Sequence, residues 1–181
     1  MIKYNICFIR QHDTILLLNR EAPSWMGCWN GIGGKLEPGE TPRDSMLREL
    51  EEETGITGHA PVYKGLVTWT TERGEAGGMY LYTLELESGY RLETPLKTPE
   101  GILDWKTLAW IMHPDNQGLA ANVPRFLPAA LEDPRCYDHH CSFRGGKLEG
   151  VRQLVIARET ENIEQASRYM QRYSTMRTAA D

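Results

Sequence analysis

The sequence predicts a mixed α and β fold in a chain of 181 residues, a length that suits one domain with a buried core. Short apolar runs occur in pairs around polar turns, which is typical of β-hairpins. The first pair is YNICFIR and TILLLNR, separated by Gln-His-Asp. The second pair covers residues 61–72 and 77–87, joined by the glycine-bearing turn RGEAGG.

The remaining elements follow from apolar periodicity. Residues 102–112 fit either a strand or a helix, whereas 123–132 predict a helix that Pro128 interrupts. Residues 137–148 predict a strand and a turn, and 157–176 predict a closing helix with a polar outer face. We therefore expect a main domain over 1–157 and a helical extension over 158–181, packed on or near that domain.

Composition excludes several classes of protein. The net charge of −5 argues against an extended nucleic-acid surface, and no apolar run reaches the ~18 residues that span a bilayer. The N-terminus lacks the layout of a signal peptide. The cysteines form neither a CxxC pair nor a dense framework, so we expect free thiols and a cytoplasmic location; they are Cys7, Cys28, Cys136 and Cys141.

The clearest local signals bound a helix over about 42–54. Thr41 is a favourable N-cap, Pro42 suits the first helical position, and Asp44 places negative charge near the helix N-terminus. Gly55 is positioned to end the helix as a left-handed C-cap. The predicted buried stripe consists of Met46, Leu47, Leu50 and Thr54.

This helix carries an unusual concentration of acids. Residues 40–53 hold six acids against two arginines, a local charge of −4. Glu49, Glu52 and Glu53 fall on one narrow face, where like charges cost a few tenths of a kcal/mol per pair. One interpretation is a solvated acidic face. The other is a carboxylate cluster for a hard divalent cation, most naturally Mg²⁺, with a substrate's phosphates completing the coordination.

The preceding loop, WNGIGGKLEPGE at 29–40, favours the cation site. Gly33 and Gly34 lack side chains, so their backbone can approach a ligand closely or offer a carbonyl to a metal. Lys35 adds a compact positive charge suited to phosphate. A flexible loop followed directly by clustered acids is what a phosphate-and-cation site requires.

Residues 34–56, GKLEPGETPRDSMLRELEEETGI, resemble the Nudix box. The match comprises Gly34, Glu40, Arg48-Glu49-Leu50, Glu52-Glu53 and Gly55-Ile56, which are all the fixed positions of a 23-residue pattern. The resemblance implies an α/β/α sandwich with a mixed sheet between helices. It also implies an enzyme that hydrolyses a diphosphate linked to another moiety, usually a nucleoside.

The resemblance assigns roles position by position. It implies that Mg²⁺ or Mn²⁺ is held by Glu49, Glu52, Glu53 and the Gly34 carbonyl. Arg48 would pair with Glu40 and fix the helix against the loop, while Gly55 ends the helix. Glu53 is our first choice as general base and Glu49 the next. Glu100, on a later loop, is either a further metal ligand or an ordinary exposed acid.

Substrate choice must come from outside the box. The segments WNGIGGK and VPRFLPAAL resemble the branch containing oxidised-purine triphosphatases and MutT-type enzymes. In that branch the Asn equivalent to Asn30 contacts the purine, and an amide can both donate and accept. The alternative is that Asn30 caps a loop. Asn122 stands where mammalian members carry paired acids, so it could contact a base, but paired-acid recognition is absent.

The favoured function is hydrolysis of a purine nucleoside triphosphate, oxidised or not, to monophosphate and pyrophosphate. Guanosine polyphosphates and RNA 5′ ends are alternative substrates, and a non-catalytic nucleotide sensor is an alternative class. Retention of every box carboxylate favours the enzyme. The expected partner is a small nucleotide, and the oligomeric state is left open.

Two further groups of residues have competing interpretations. Trp25, Trp105 and Trp110 could stack on a base or belong to the core. Cys136, His139, His140 and Cys141 resemble zinc ligands by residue type. On a strand, however, His140 would oppose His139 and Cys141, so the four side chains could not converge easily.

Overall fold

The computed structural model describes residues 2–23 and 25–178, and there it forms one nine-stranded sheet covered by helices on both faces. The strands are β1 Tyr4–Gln11, β2 Thr14–Arg20, β3 Trp29–Asn30, β4 Val62–Thr71, β5 Ala76–Glu85, β6 Leu96–Lys97, β7 Gly101–Thr107, β8 Cys136–Arg144 and β9 Lys147–Ile156. The helices are α1 Pro42–Thr54, α2 Leu108–Ile111, α3 Val123–Glu132, a 3₁₀ turn at Arg158–Glu161, and α4 Ile163–Thr178.

The strand order is β6-β7-β2-β1-β5-β4-β8-β9, with β3 paired to β2. Both predicted hairpins are confirmed, since β1 pairs antiparallel with β2 and β4 with β5. Two parallel pairings, β1 with β5 and β4 with β8, make the sheet mixed. The α/β/α architecture implied by the family resemblance is therefore confirmed.

Each face of the sheet has its own core. Met46 and Leu50 of α1, with Ala166 of α4, pack on one face. Phe126 and Leu127 of α3 pack on the other. Each such fully buried apolar side chain contributes about 1.5–3 kcal/mol. This packing holds α1, and with it the acidic segment, rigidly against the sheet.

Helix α1 begins and ends as predicted, but its buried stripe is rotated. The Thr41 side chain accepts a hydrogen bond from the Asp44 backbone, and the left-handed Gly55 donates its N–H to the Glu51 carbonyl. Leu47, predicted to be buried, is 39% exposed, whereas Ser45 is fully buried and accepts from the Asn5 amide at 2.8 Å. The polar partner on β1 therefore decides which side of the helix faces inward.

One open assignment is resolved and two other expectations are corrected. The ambiguous segment is β7 followed directly by α2. Helix α3 continues through Pro128, because Phe126 and Leu127 before the proline and Ala130 after it all pack into the same core. The closing helix does not start at Ala157: a 3₁₀ turn precedes α4. The strand β9 was not predicted as a separate element.

The C-terminal extension packs on the sheet through α4. Ala166 is buried and the Tyr169 hydroxyl donates to Asp138 Oδ2 at 2.7 Å. Residues 179–181 of the predicted extension lie outside the described residues. The division into 1–157 and 158–181 stays a prediction.

The suspected zinc residues all lie on β8 and are buried, but on alternate faces. His140 hydrogen-bonds Thr68 and Thr70 on one face. His139, on the other face, contacts the rings of Phe126 and Tyr137 with centroids 5.4 and 5.6 Å away. Burial lowers the pKa of His139 to about 4, so this ring is neutral near pH 7. These side chains do not converge on one point.

The four cysteines are free thiols. Burial raises the pKa of Cys7 well above its usual range and that of Cys141 to about 11, so both remain protonated near neutral pH. Within residues 2–23 and 25–178, no helix has the length and hydropathy needed to cross a membrane.

Candidate active site

An open cleft of about 1260 Å³ lies beside the glycine loop. One end is bordered by the acidic face of α1 and by Glu100. The other end is bordered by the tips of the β4–β5 and β8–β9 hairpins. We call the lining by α1, the glycine loop and Glu100 the acidic end, and the lining by Trp25, Trp69 and Phe143 the aromatic end. Different parts of the chain supply the two ends.

The glycine loop can take its path only because side chains are missing. Gly33 has φ 145°, and a Cβ there would lie 2.5 Å from the Asn5 carbonyl oxygen. A Cβ on Gly34 would lie 2.5 Å from Glu49 Oε1. Asn5 binds the same loop twice, donating its N–H to the Gly34 carbonyl at 2.9 Å and accepting from the Gly34 N–H at 3.2 Å. The loop is thus held between β1 and the carboxylate of Glu49.

Arg48 forms the pair that the resemblance implied. Its guanidinium donates to both carboxylate oxygens of Glu40, at 2.7 and 3.0 Å. This bidentate bond lowers the pKa of Glu40 to about 2. Arg48 also donates to Glu49 at 2.9 Å and to the Lys35 carbonyl at 3.2 Å. Arg48 therefore connects the helix to the preceding loop at two residues, Glu40 and Lys35.

Glu49 and Glu53 are buried side by side, each 8% exposed. Burial, and then the nearby Glu49 and Glu100 carboxylates, raise the pKa of Glu53 to about 8. Burial also raises the pKa of Glu49, although Arg48 opposes this. Glu53 Oε2 is buried and makes no hydrogen bond within the described part of the chain. Arg20 and the Gly33 backbone N–H oppose this rise, but burial and the neighbouring carboxylates outweigh them, so the protonated form of Glu53 is favoured near pH 7.

Glu52 occupies a different environment. Its side chain is 59% exposed and accepts from Arg48 Nη1 at 3.0 Å. Among the residues that the structure describes, no three His, Cys, Asp or Glu side chains stand close enough together to hold a metal as they are. The structure thus brings Glu49 and Glu53 together, and Glu52 could join them only by leaving Arg48.

Glu100 reaches the acidic end from the loop before β7. Its side chain is 49% exposed and lies 3.9 Å from Arg20 Nη2. Its negative charge raises the pKa of both Glu49 and Glu53, which places it within electrostatic range of both. Arg20, at the end of β2, lowers the pKa of Glu53 and lines the cleft. Sequence reasoning missed Arg20 because a strand-terminal Arg has no distinguishing pattern.

The other end combines aromatic side chains with the charged tip of the β4–β5 hairpin, where Glu72, Arg73 and Glu75 line the cleft. Asn30, Asn122 and Trp25 line the cleft, and contact of the two asparagines with a base stays a prediction. Trp69 and Phe143 also line it and were not predicted. Trp69 on β4 pairs with Gly77 on β5. A Cβ on Gly77 would lie 2.4 Å from the Trp69 ring, so the indole can contact the β5 backbone only because this position is glycine.

The other two tryptophans lie elsewhere. Trp105 packs against the core and donates to the Leu92 carbonyl at 3.3 Å. Trp110 is 37% exposed, with the Lys106 ammonium 5.6 Å from its ring centroid. Neither lines the cleft. Lys35 is exposed and does line the cleft, consistent with its predicted position near phosphate.

The acidic end suits a divalent cation. Carboxylate and carbonyl oxygens are the ligands that hard cations prefer. A bound cation would supply a partner for Glu53 Oε2 and offset the repulsion among Glu49, Glu53 and Glu100. The Gly34 carbonyl accepts one hydrogen bond and retains a second lone pair. The residues present therefore fit such a group.

A mixed sheet between helices, with a glycine loop facing buried acids, defines an α/β/α domain. Residues 3–129 match the NUDIX domain model, so the chain belongs to the Nudix family. Members of this family generally use divalent metal ions. The β8–β9 hairpin and α4 lie beyond the matched range.

Individual relatives agree with this membership. An uncharacterised Nudix hydrolase, YvcI, from Bacillus subtilis is 35% identical over 101 residues, which cover 55% of this chain and 61% of that protein. The 8-oxo-dGTP diphosphatase of Proteus vulgaris is 47% identical over 47 residues, covering 25% of this chain and 42% of that enzyme. The match thus spans less than two thirds of either relative. The MutT protein from Bacillus halodurans superposes with a TM-score of 0.68 at 26% identity, covering 84% of this chain and 97% of that one.

Proposed function

We propose that this protein is a divalent-cation-dependent pyrophosphohydrolase that converts a purine nucleoside triphosphate into the monophosphate and pyrophosphate. The observation that carries the proposal is the buried, unpartnered Glu53 Oε2 beside Glu49 and the glycine loop. A buried acid without a partner is costly, and such costs are concentrated at functional sites. The relative that is an 8-oxo-dGTP diphosphatase supports a nucleotide substrate.

The acidic end would hold Mg²⁺, with Mn²⁺ as a substitute. Its ligands would be Glu49, Glu53 and the Gly34 carbonyl, with Glu52 and Glu100 as further candidates. When bound, the cation stabilises negative charge on phosphate oxygens and makes water more acidic. Glu52 can contribute only if its ion pair with Arg48 opens.

The chain's own residues would then position and activate the reactants. Arg20 and Lys35, both lining the cleft, attract the phosphates. Water attacks phosphorus while the bond to the departing phosphate oxygen breaks, and Glu53 accepts the proton of the water. Glu49 is the next candidate for that role. Arg48 fixes the position of α1 relative to the preceding loop through its hydrogen bonds to Glu40 and to the Lys35 carbonyl.

The aromatic end would receive the nucleoside. Trp25, Trp69 and Phe143 are half-buried around it. Flat apolar side chains of this kind suit a planar base. Asn30 and Asn122 are the polar groups available to contact the base edge. This division of the cleft would place the base and the phosphates at opposite ends.

The test is hydrolysis of a panel of nucleoside triphosphates with and without excess chelator, with both products identified chromatographically. We expect no turnover in chelator and recovery on adding Mg²⁺ or Mn²⁺, because uncompensated carboxylates repel the phosphates. Full turnover in excess chelator would contradict the proposal that hydrolysis depends on a divalent cation. Tight binding of a nucleotide with no hydrolysis in the presence of either Mg²⁺ or Mn²⁺ would indicate a non-catalytic nucleotide sensor instead.

A further inference from the structure

Asn5 stands where β1, the glycine loop and α1 meet, and it is only 3% exposed. Its side-chain Oδ1 accepts from the Gly34 N–H at 3.2 Å. Its Nδ2 donates to Ser45 Oγ on α1 at 2.8 Å, in a buried contact. The two polar atoms of this side chain are therefore used on two different elements, one on the loop and one on the helix.

The Gly34 N–H fixes the orientation of the Asn5 amide. A backbone N–H can only donate, so it requires the oxygen of the amide. Turning the amide would set Nδ2 against that N–H, donor against donor, and would leave the Gly34 N–H without its partner. Nδ2 therefore points to Ser45, and the amide joins the loop to α1 in one defined orientation.

Ser45 extends this connection to the ion pair that holds the start of α1. It is fully buried, and its Oγ accepts from Arg48 Nη2 at 3.3 Å as well as from Asn5. Arg48 lowers the pKa of Glu40 most, and a hydrogen bond from Ser45 lowers it further. Through one hydroxyl, Asn5 is thus connected to both members of the Glu40–Arg48 pair.

The successive N–H groups of Gly33 and Gly34 are held by different elements. The Gly33 N–H bonds Glu53 on α1, where it opposes the larger effect of burial on the pKa of that acid. The Gly34 N–H bonds Asn5 on β1. A Cβ on Gly33 would lie 2.8 Å from Asn5 Oδ1, so the loop passes directly over the amide. Loss of the amide would release one of the two bonds that set the direction of the loop beside the buried acids.

We propose that Asn5 is a positioning residue for cation binding and hydrolysis: its amide ties the glycine loop to α1 through Ser45. This rests on the proposed function, because it assumes that the loop and the buried acids bind a cation and phosphates. Asn5 lines the cleft, but both polar atoms of its side chain already bond the protein, so it acts through the loop and the helix. Residues that orient metal ligands from outside commonly contribute 10-fold to 100-fold in affinity or activity.

Asn5→Leu removes both side-chain hydrogen bonds and keeps a similar size. We expect kcat to fall about 10-fold to 100-fold, because a small displacement of the loop misplaces the groups that bind the reactants. Ser45→Ala, which removes the acceptor on α1, should lower kcat about 3-fold to 10-fold. In the double variant the loss should be smaller than the product of the two single losses, because both changes break the same connection.

Thr160→Val is the matched control. Thr160 is buried, bonds the Tyr63 hydroxyl at 2.9 Å and donates to the Ala157 carbonyl at 2.6 Å. It therefore also joins two elements through two hydrogen bonds, but it does not line the cleft. Its replacement should lower the unfolding free energy measured in urea and leave kcat within about 2-fold of wild type.

The comparison of these variants decides the inference when the wild type hydrolyses a triphosphate. Equal kcat in Asn5→Leu and Thr160→Val overturns it, since a general loss of stability would then be the whole effect. If Asn5→Leu does not fold, the same comparison is made between Ser45→Ala and Thr160→Val.

Calorimetry with Mg²⁺ alone separates this inference from the proposed function when no triphosphate is hydrolysed. Binding that is about 10-fold weaker in Asn5→Leu than in wild type and in Thr160→Val supports the inference, and only the proposed reaction fails. Equal binding by all three proteins, or binding by none of them, overturns the inference as well.

Discussion

The two ends of the cleft are built in different ways. The acidic end comes almost entirely from residues 33–53, where a loop and a helix follow each other in the chain. The aromatic end is gathered from four distant stretches, around residues 25–30, 69–79, 122 and 143. The acidic end depends on the spacing of residues within one short segment, whereas the aromatic end depends on which strands pair in the sheet.

The two ends also differ in how well their polar groups are satisfied. At the acidic end Glu53 Oε2 is buried without a partner, and burial, followed by the Glu49 and Glu100 carboxylates, raises the pKa of Glu53. At the aromatic end the Asn30 and Asn122 amides each have one hydrogen bond to the protein. A fold tolerates unsatisfied buried charge where function requires it. The acidic end is therefore where substitutions should have the largest effect.

The largest effect is expected for Glu53→Gln. This change removes a candidate cation ligand and the candidate base while preserving shape, so kcat should fall by roughly three orders of magnitude or more. Steady-state kinetics at saturating Mg²⁺ measures it. Glu51→Gln, on the exposed side of the same helix, is the control and should behave like wild type. A near-normal rate for Glu53→Gln would transfer the base role to Glu49 or Glu100.

A smaller loss is expected for Gly34→Ala. The added Cβ would lie 2.5 Å from Glu49 Oε1, so the carboxylate or the loop must move. Displacements of about 1 Å in an active site commonly cost about 100-fold, and kcat/KM should fall about 10-fold to 100-fold. Gly150→Ala on β9 meets nothing within 4 Å and serves as the control. Similar kinetics for the two variants would show that the close approach has no catalytic importance.

At the aromatic end, Asn30→Ala should act on selectivity. Loss of its amide should weaken purine triphosphates by about 1–3 kcal/mol in kcat/KM if a buried base edge loses its partner. Pyrimidine triphosphates, where turned over, should change less. The measurement is kcat/KM for a guanine and a pyrimidine triphosphate in both proteins. Equal losses for the two would mean that Asn30 only shapes the loop through Gly31.

The smallest effect concerns stability through the Glu40–Arg48 pair. The folded pKa of Glu40 is about 2, below the usual 4.5. Its contribution is therefore complete above pH 4.5 and is lost as the pH falls towards 2. Glu40→Gln should cost about 1–2 kcal/mol of unfolding free energy near pH 7, after allowing for solvent screening. Urea titrations from pH 7 to pH 2 should show the two proteins converging in acid. A constant difference across that range would contradict this account.

Much of the fold was predictable because it rests on local chemistry. Thr41, Pro42 and Gly55 bound α1 through their own local preferences, and short apolar runs paired around polar turns predicted both hairpins. The residues on other elements that pack against or hydrogen-bond to these elements were not predictable. Leu47 is exposed and Ser45 buried because Asn5, 40 residues before Ser45, supplies a hydrogen bond from β1.

What the sequence by itself determined is therefore the acidic end: the spacing of Glu49, Glu52 and Glu53 on one helical turn, and the glycines before them. The tertiary structure alone decided that Glu53 is buried with its Oε2 unpartnered, while Glu52 is exposed and paired with Arg48. It also decided that Phe143 on β8 lines the cleft, because β8 pairs in parallel with β4. Helical periodicity is a property of neighbouring residues, whereas burial and strand pairing depend on residues far apart in the chain.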